Sequence, residues 1–492
     1  MSFASLTFWI SFAGVLFAYA LMARRHGLQN WLLLAFSYVF YGAWDWRFLS
    51  LIMLSTAVDF VAGQRIHDSA DPRARKRWLL VSLGVNLGLL AVFKYLGFFA
   101  DSFEALAGSF GWSPGPITLG IVLPVGISFY TFQTLSYTID IYRGDLKPSR
   151  RLRDFALFVA FFPQLVAGPI ERARNLLPNV ERARTIVPEQ FYRGVYLCLF
   201  GLVKKVAIGD GLAGPVGSVF EAPDPSGAAI WIASILFAIQ IYCDFSGYTD
   251  IARGLSKMLG FELMRNFRMP YFATGPQEFW RRWHISLSTW LRDYLYISLG
   301  GNRGGTGRMY RNLMLTMVIG GLWHGARWNF VLWGFYQGAL LVAGRVIGPR
   351  VSAMGARLTP QNTIGAAAQG MIGAPPMRWA GRVATSMLFF LPVCYGWMLF
   401  RATTLGQVAD FTAKMFSPES LLTAPAVTMP PLAALAGIAF LFAHDLAEEV
   451  TGDARPYMRL PTASRGAVYA ALVTLLLMGL QNGSTEFIYF QF

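Results

Sequence analysis

An all-α, polytopic membrane protein is the fold class this sequence predicts, on three observations. Hydrophobic residues make up 55% of the 492 residues and charged residues only 14%, too little charge to cover a soluble chain of this size. Apolar stretches recur along the whole length, each long enough, or nearly so, to cross a bilayer as a helix. Lysine and arginine gather in the short loops between them, as cytoplasmic loops do. The formal charge of +15 is therefore read as positive-inside loops. No basic, aromatic-rich soluble segment is present, so nucleic acid is not an expected partner.

The segments follow in order. Residues 6–22 read as an uncleaved first helix, because no basic residue precedes them and no small-residue cleavage site follows before Arg24 and Arg25. Arg24 and Arg25, and then Arg65, Arg73, Arg75, Lys76 and Arg77, mark the cytoplasmic side, with 31–44 and 48–63 as an out-and-back pair between them. Residues 78–99 lead to an outward loop, 101–116, that has acids and no base; 117–139 returns to Arg143, Lys147, Arg150, Arg151 and Arg153. Residues 155–170 have bases at both ends and carry Pro163, Gln164, Gly168 and Pro169. Such a short, interrupted segment reads as re-entrant, a backbone tolerated only inside protein or beside a wet cavity.

Residues 191–208 exit to the acidic loop 210–227, and 228–245 re-enters. Residues 249–311 hold no clear span. An apolar hairpin, 312–347, turns at Arg327-Trp328-Asn329, and 350–382 reads as a Gly/Ala/Pro-rich cytoplasmic linker. Three spans, 384–400, 432–442 and 466–480, finish the chain. The expectation is about eleven to twelve membrane segments in one integral membrane domain over 1–492: a core to 347, the linker, and C-terminal helices from 384. No internal repeat is visible, which weakens a secondary-transporter reading.

Chemistry points to the histidines. The chain has five, and two stand in the dipeptides Trp283-His284 and Trp323-His324. His324 lies in an apolar run, 314–326, where an ionisable group is a functional-site hypothesis; imidazole is also the side chain best suited to move protons near neutral pH. Residues 276–296 read as one interfacial amphipathic helix with Phe279, Trp283, Leu287, Trp290 and Tyr294 in a stripe. Arg281, Ser288 and Arg292 lie off that stripe, and the bland alternative is that the arginines only bind lipid phosphates. Asp244 and Ser246 sit near the end of span 228–245. Gly247 is expected there as a left-handed C-cap, and Asp244, an acid at the negative end of a helix dipole, needs an arginine or histidine partner. Gln133 is a candidate cavity liner within 117–139. Cys198, Cys243 and Cys394 read as packed thiols.

No Walker-type loop, Gly-x-Ser-x-Gly elbow, dinucleotide fingerprint or His-Glu-x-x-His motif occurs, and the histidines are too scattered for a metal site. What remains is chemistry one base can run: activating a hydroxyl against an acyl donor.

Stretches 124–144, 162–169, 242–254, 266–271, 278–303 and 312–334 resemble the membrane-bound O-acyltransferases, in particular the polysaccharide-acetylating branch that includes the membrane subunit of alginate O-acetyltransferase. The resemblance implies a ring of helices with re-entrant segments around a central tunnel. It implies His324 as the catalytic histidine and His284 as the second histidine of the acetylating branch. It further implies a multi-pass protein of the bacterial cytoplasmic (inner) membrane, surrounded by lipid, with no bound cofactor. Acetyl-CoA would be the donor and a cell-envelope polysaccharide the acceptor, reached through an extracytoplasmic SGNH-type, esterase-like partner. Arg281, Arg282 and Arg292 suit the donor's phosphates; Trp283, Trp323, Asn329, Asp244, Ser246, Ser288 and Gln133 complete the expected lining. The alternatives are transfer of another acyl group such as D-alanine, a transporter or lipid-linked-sugar flippase, and a scaffold whose partner does the chemistry. The loop 164–178 also suits relatives acting on peptidoglycan or cellulose.

Overall fold

Lipid offers backbone no hydrogen-bond partners, so a membrane chain satisfies its amides internally. In the computed structural model, which describes residues 2–112, 120–356, 376–453, 456–482 and 487–488, every regular element among the described residues is helical. The chain divides into two compact units, Met1–Cys198 with Tyr248–Met264, and Leu199–Gly247 with Arg265–Phe492.

The first unit holds α1 (Leu6–Leu21), α2 (His26–Asp45), α3 (Leu49–Asp68), α4 (Pro72–Leu90), α5 (Leu96–Ser109), α6 (Ile127–Arg143), α7 (Leu152–Ala160), α8 (Phe162–Leu165), α9 (Ala173–Glu181) and the first turns of α10 (Pro188–Leu202). Its interior is more polar than hydropathy suggests. Asp59 is fully buried, and accepts from Ser82 Oγ (2.6 Å) and from Asn86 Nδ2 (2.9 Å), so the polar groups of α3 and α4 satisfy one another.

The segment 155–170 is interrupted: it forms two short buried helices, α7 and α8, broken at Phe161. The Phe162 N–H donates to Ser37 Oγ (3.1 Å) instead of to the carbonyl four residues back, so the Phe158 carbonyl loses its helical donor. Gln133 Nε2 (2.6 Å) and Gln164 Nε2 (3.1 Å) donate to that carbonyl instead.

The second unit holds α11 (Asp210–Phe220), most of α12 (Gly227–Met258), α13 (Pro276–Arg282), α14 (Ile285–Trp290), α15 (Thr306–His324), α16 (Trp328–Ala356), α17 (Pro376–Arg401), α18 (Leu405–Phe416), α19 (Pro418–Leu422), α20 (Leu432–Thr451) and α21 (Thr462–Gly479). The α15–α16 hairpin turns at 325–327, two residues before the expected Arg327-Trp328-Asn329, because Trp328 and Asn329 already open α16. One expectation fails: Gly247 does not cap a helix, because α12 runs through it without interruption. Its missing side chain serves close approach, since a Cβ there would stand 2.7 Å from the Gly201 carbonyl oxygen.

Among the described residues, six helical stretches are long and apolar enough to cross a membrane: His26–Asp68, Pro72–Ser109, Gly227–Met258, Trp328–Gly348, Ala380–Arg401 and Thr462–Gly479. Other expected spans are less regular for visible reasons. Residues 191–208 pass from α10 into a π-helical turn, Val203–Gly209, and α20 carries Asp445, Glu448 and Glu449 in its last turns. Parts of the loop 101–116, of span 117–139 and of the linker 350–382 lie outside the described residues.

Candidate active site

The His284 side of the site is a helix broken on purpose. α13 starts at Pro276, a favoured first helical residue, and Glu278 reaches back to accept from Thr274 N–H (2.9 Å) and Oγ1 (2.8 Å). The single helix expected over 276–296 does not form. Trp283 is extended, His284 is left-handed (φ 43°, ψ 54°), α14 begins at Ile285, and 291–296 forms a π turn. A left-handed non-glycine residue costs about 1–3 kcal/mol and persists only when its surroundings impose it. Here they do. Arg268 N–H donates to the Arg282 carbonyl and Ile285 N–H to the Asn266 carbonyl, both at 2.9 Å, so the segment 266–268 clips the break. Ser288 Oγ donates to the Trp283 carbonyl (3.1 Å).

Asn266 then decides the state of His284. Its Oδ1 accepts from Ser286 N–H (3.1 Å) and Ser286 Oγ (2.9 Å). A backbone N–H can only donate, so that atom is the oxygen of the amide. His284 Nδ1, 3.2 Å from the same oxygen, must therefore carry the proton and donate. The lone pair is left on Nε2. Burial pushes the His284 pKa down to about 3, so the imidazole is neutral near pH 7. In this tautomer Nε2 accepts hydrogen bonds and cannot donate one to polarise a carbonyl.

His324 is positioned differently, as the last residue of the apolar helix α15. α16 returns against α15 very closely: a Cβ on Gly334 would lie 2.4 Å from the Met317 carbonyl oxygen. That contact brings the Trp333 ring to 5.1 Å from the His324 ring, edge on. Phe400 of α17 stands 5.5 Å from it, and Trp323 5.0 Å. Asn329 Nδ2 donates to the Ala402 carbonyl (2.7 Å) and so ties the start of α16 to the end of α17.

The two Trp-His pairs, forty residues apart in sequence, meet in this unit. The imidazoles of His284 and His324 lie 6.4 Å apart between ring centres, with Trp323 5.9 Å from His284. Trp283 continues the shell to Trp397 (4.8 Å), and Trp397 stacks toward Trp333 (6.2 Å). Both histidines and all four tryptophans are at most 5% exposed.

The remaining expected residues are placed as follows. Arg281 and Arg292 are exposed, and Arg292 pairs with its neighbour Asp293 (2.7 Å). Arg282 is bound to Glu278 (2.7 Å) and Glu449 (2.7 Å), and Arg382 bridges the same two carboxylates (2.8 and 3.0 Å). Burial works to raise the Glu278 pKa, but hydrogen bonds from Thr274 and Arg382 and the Arg282 charge outweigh it and hold it at about 2. Asp244 has a specific partner, though neither an arginine nor a histidine. Lys205 Nζ is 2.6 Å from its Oδ1, and the Ile488 N–H donates to its Oδ2 (2.7 Å). Ser246 is buried on the same helix. Gln133 belongs to the first unit, where its amide holds the broken helix described above. The three cysteines are buried and unpaired with one another. Among the described residues, no group of three or more His, Cys, Asp or Glu side chains could hold a metal ion.

The sequence reading missed Asn266, Trp333, Trp397 and Phe400. Asn266 opens the stretch 266–271 that resembles the family, but nothing local announces its role. Trp397 and Phe400 lie beyond the recognisable motifs.

The family model of the membrane-bound O-acyltransferases matches residues 149–367, which contain both histidines. A probable alginate O-acetylase of Azotobacter vinelandii is 44% identical over 390 residues, covering 79% of this chain and 73% of that protein. The chain belongs to the membrane-bound O-acyltransferase family. A probable alginate O-acetylase of Pseudomonas aeruginosa is 42% identical, covering 85% of this chain and 75% of its own length. A peptidoglycan O-acetyltransferase of Helicobacter pylori is 39% identical over 64% of each chain. As a membrane-bound O-acyltransferase the chain is a multi-pass membrane enzyme of acyl transfer, and the helical fold agrees with that class.

Proposed function

We propose that this enzyme moves acetyl from acetyl-CoA, supplied on the cytoplasmic side of the bacterial inner membrane, toward hydroxyls of a cell-envelope polysaccharide such as alginate. The observation that carries the reading is the meeting of the two imidazoles, 6.4 Å apart inside a tryptophan shell. His324 takes the proton of the acceptor hydroxyl as its oxygen attacks the thioester carbonyl. The C–O ester bond forms, the C–S bond breaks, and the proton passes to the departing sulfur to give free CoA. His284, a neutral acceptor at Nε2, positions the donor through an amide N–H of its pantetheine arm. Arg281 and Arg292, exposed, meet the donor's phosphates; Arg282 instead holds α13 in register with Glu278 and Glu449. The chain acts with an extracytoplasmic SGNH-type partner that hands acetyl to the polymer.

His324→Ala should lower transfer of labelled acetyl from acetyl-CoA to polymer by about 10²–10⁴-fold in membranes that contain the partner, the range for loss of a general base. His26→Ala and His67→Ala should leave it unchanged. Full acetylation by a well-expressed His324→Ala protein would overturn the reading.

A further inference from the structure

Acyl transfer develops negative charge on the thioester oxygen, and donors aimed at that oxygen usually contribute most to catalysis. His284 cannot be that donor, because Asn266 fixes its proton on Nδ1. The unit offers others in the same shell. The indole N–H groups of Trp333 and Trp397 are both buried and find no acceptor among the described residues. Trp333 is edge on to His324, its ring 5.1 Å away, and Trp397 lies against both Trp333 and Trp283. An unmade buried hydrogen bond costs about 1–3 kcal/mol. Two such donors in one shell, next to the base, are expected where an acceptor arrives with the substrate. Tryptophan also suits the place in a way that serine or lysine does not. Its N–H has no acceptor lone pair, carries no charge to desolvate and sits on a rigid ring that packs like the rest of the core.

We infer that Trp333 and Trp397 form the carbonyl subsite of this enzyme: their indole N–H groups donate to the acyl oxygen of the bound thioester and hold it as it becomes an oxyanion. The inference deepens the acyl-transfer reading and rests on it. In this site His324 handles the proton, the two indoles handle the oxygen, and His284 holds the donor.

The test replaces only the N–H. Benzothienylalanine at position 333 or 397 keeps the shape of the bicyclic ring and exchanges N–H for sulfur; Trp333→Phe and Trp397→Phe serve as coarser variants. The full-length protein, in liposomes with its partner, is assayed for kcat and KM with acetyl-CoA. Folding is checked by thermal midpoint. Each isostere should lower kcat by about 10²–10³-fold, the range for one lost oxyanion donor, with KM nearly unchanged and the midpoint kept. Turnover within twofold of wild type in both isosteres would overturn the inference. A raised KM at unchanged kcat would also overturn it, since the indoles would then only pack against the donor. The His324→Ala protein separates the two failures. If it is inactive while the isosteres are active, the subsite is wrong and the acyl-transfer reading stands; if it is active, the reading itself fails.

Discussion

Trp283-His284 and Trp323-His324 are the same dipeptide built in opposite ways. His324 ends an ordinary apolar helix, and its place is set by how closely α16 packs on α15. His284 sits in a strained break between two short helices: backbone bonds from 266–268 hold it there, the Asn266 amide fixes its proton, and burial keeps it neutral. The difference teaches that a packed helix end suffices to deliver an imidazole, whereas fixing its tautomer takes a dedicated hydrogen-bond partner. It also separates two kinds of vulnerability, one of packing and one of polar satisfaction.

The sharpest way to break the comparison is at Asn266. Asn266→Ala leaves the Ser286 N–H and the His284 Nδ1–H without their acceptor, while the main-chain bonds of the clip remain. Transfer should fall by about 10²-fold or more, the scale of a misplaced acid–base group, and stability by about 1–3 kcal/mol for the unpaired buried donor. Acetyl-transfer assays and thermal unfolding of the purified protein read both; a near wild-type rate would mean that the tautomer does not matter.

A packing change should hurt the other histidine, and by less. In Gly334→Ala the new Cβ meets backbone, at 2.4 Å from the Met317 oxygen and 2.9 Å from Val318 Cα, which cannot swing aside as a side chain can. Overpacking of this kind costs about 1–3 kcal/mol. The thermal midpoint should drop and transfer should weaken about tenfold as His324 and Trp333 shift. If Gly334→Ala were as stable and active as wild type, close helix contact would not be what aims His324.

The smallest effect near neutral pH is acid sensitivity. His284 has a folded pKa of about 3 against an ordinary 6.5, so the unfolded chain binds this proton first. The stability contributed by a neutral His284 is complete above pH 6.5 and is lost progressively as pH falls toward 3. Asparagine tolerates the left-handed backbone, so His284→Asn should fold and should lose less thermal stability than wild type on going from pH 7 to 4.5. Parallel losses in the two proteins would show that His284 is not the buried neutral group.

The sequence by itself determined the membrane class, the long apolar helices, the α15–α16 hairpin to within two residues, the interruption before Ile170, and the two histidines as candidates. Each rests on signals carried within a single stretch: hydropathy, loop charge, proline and glycine, or a recognisable motif. Only the tertiary structure decided the break at His284. Residues 276–296 contain no glycine and no proline after Pro276, so their aromatic spacing reads as one helix. What breaks it is a set of hydrogen bonds from 266–268, outside the window in which a helical period is read. The same holds for Lys205 beside Asp244, for Glu449 on Arg282 and for Trp397 between Trp283 and Trp333. Buried polar and aromatic groups take their partners from wherever the fold brings them, often more than a hundred residues away, and that pairing leaves no periodic trace in the chain.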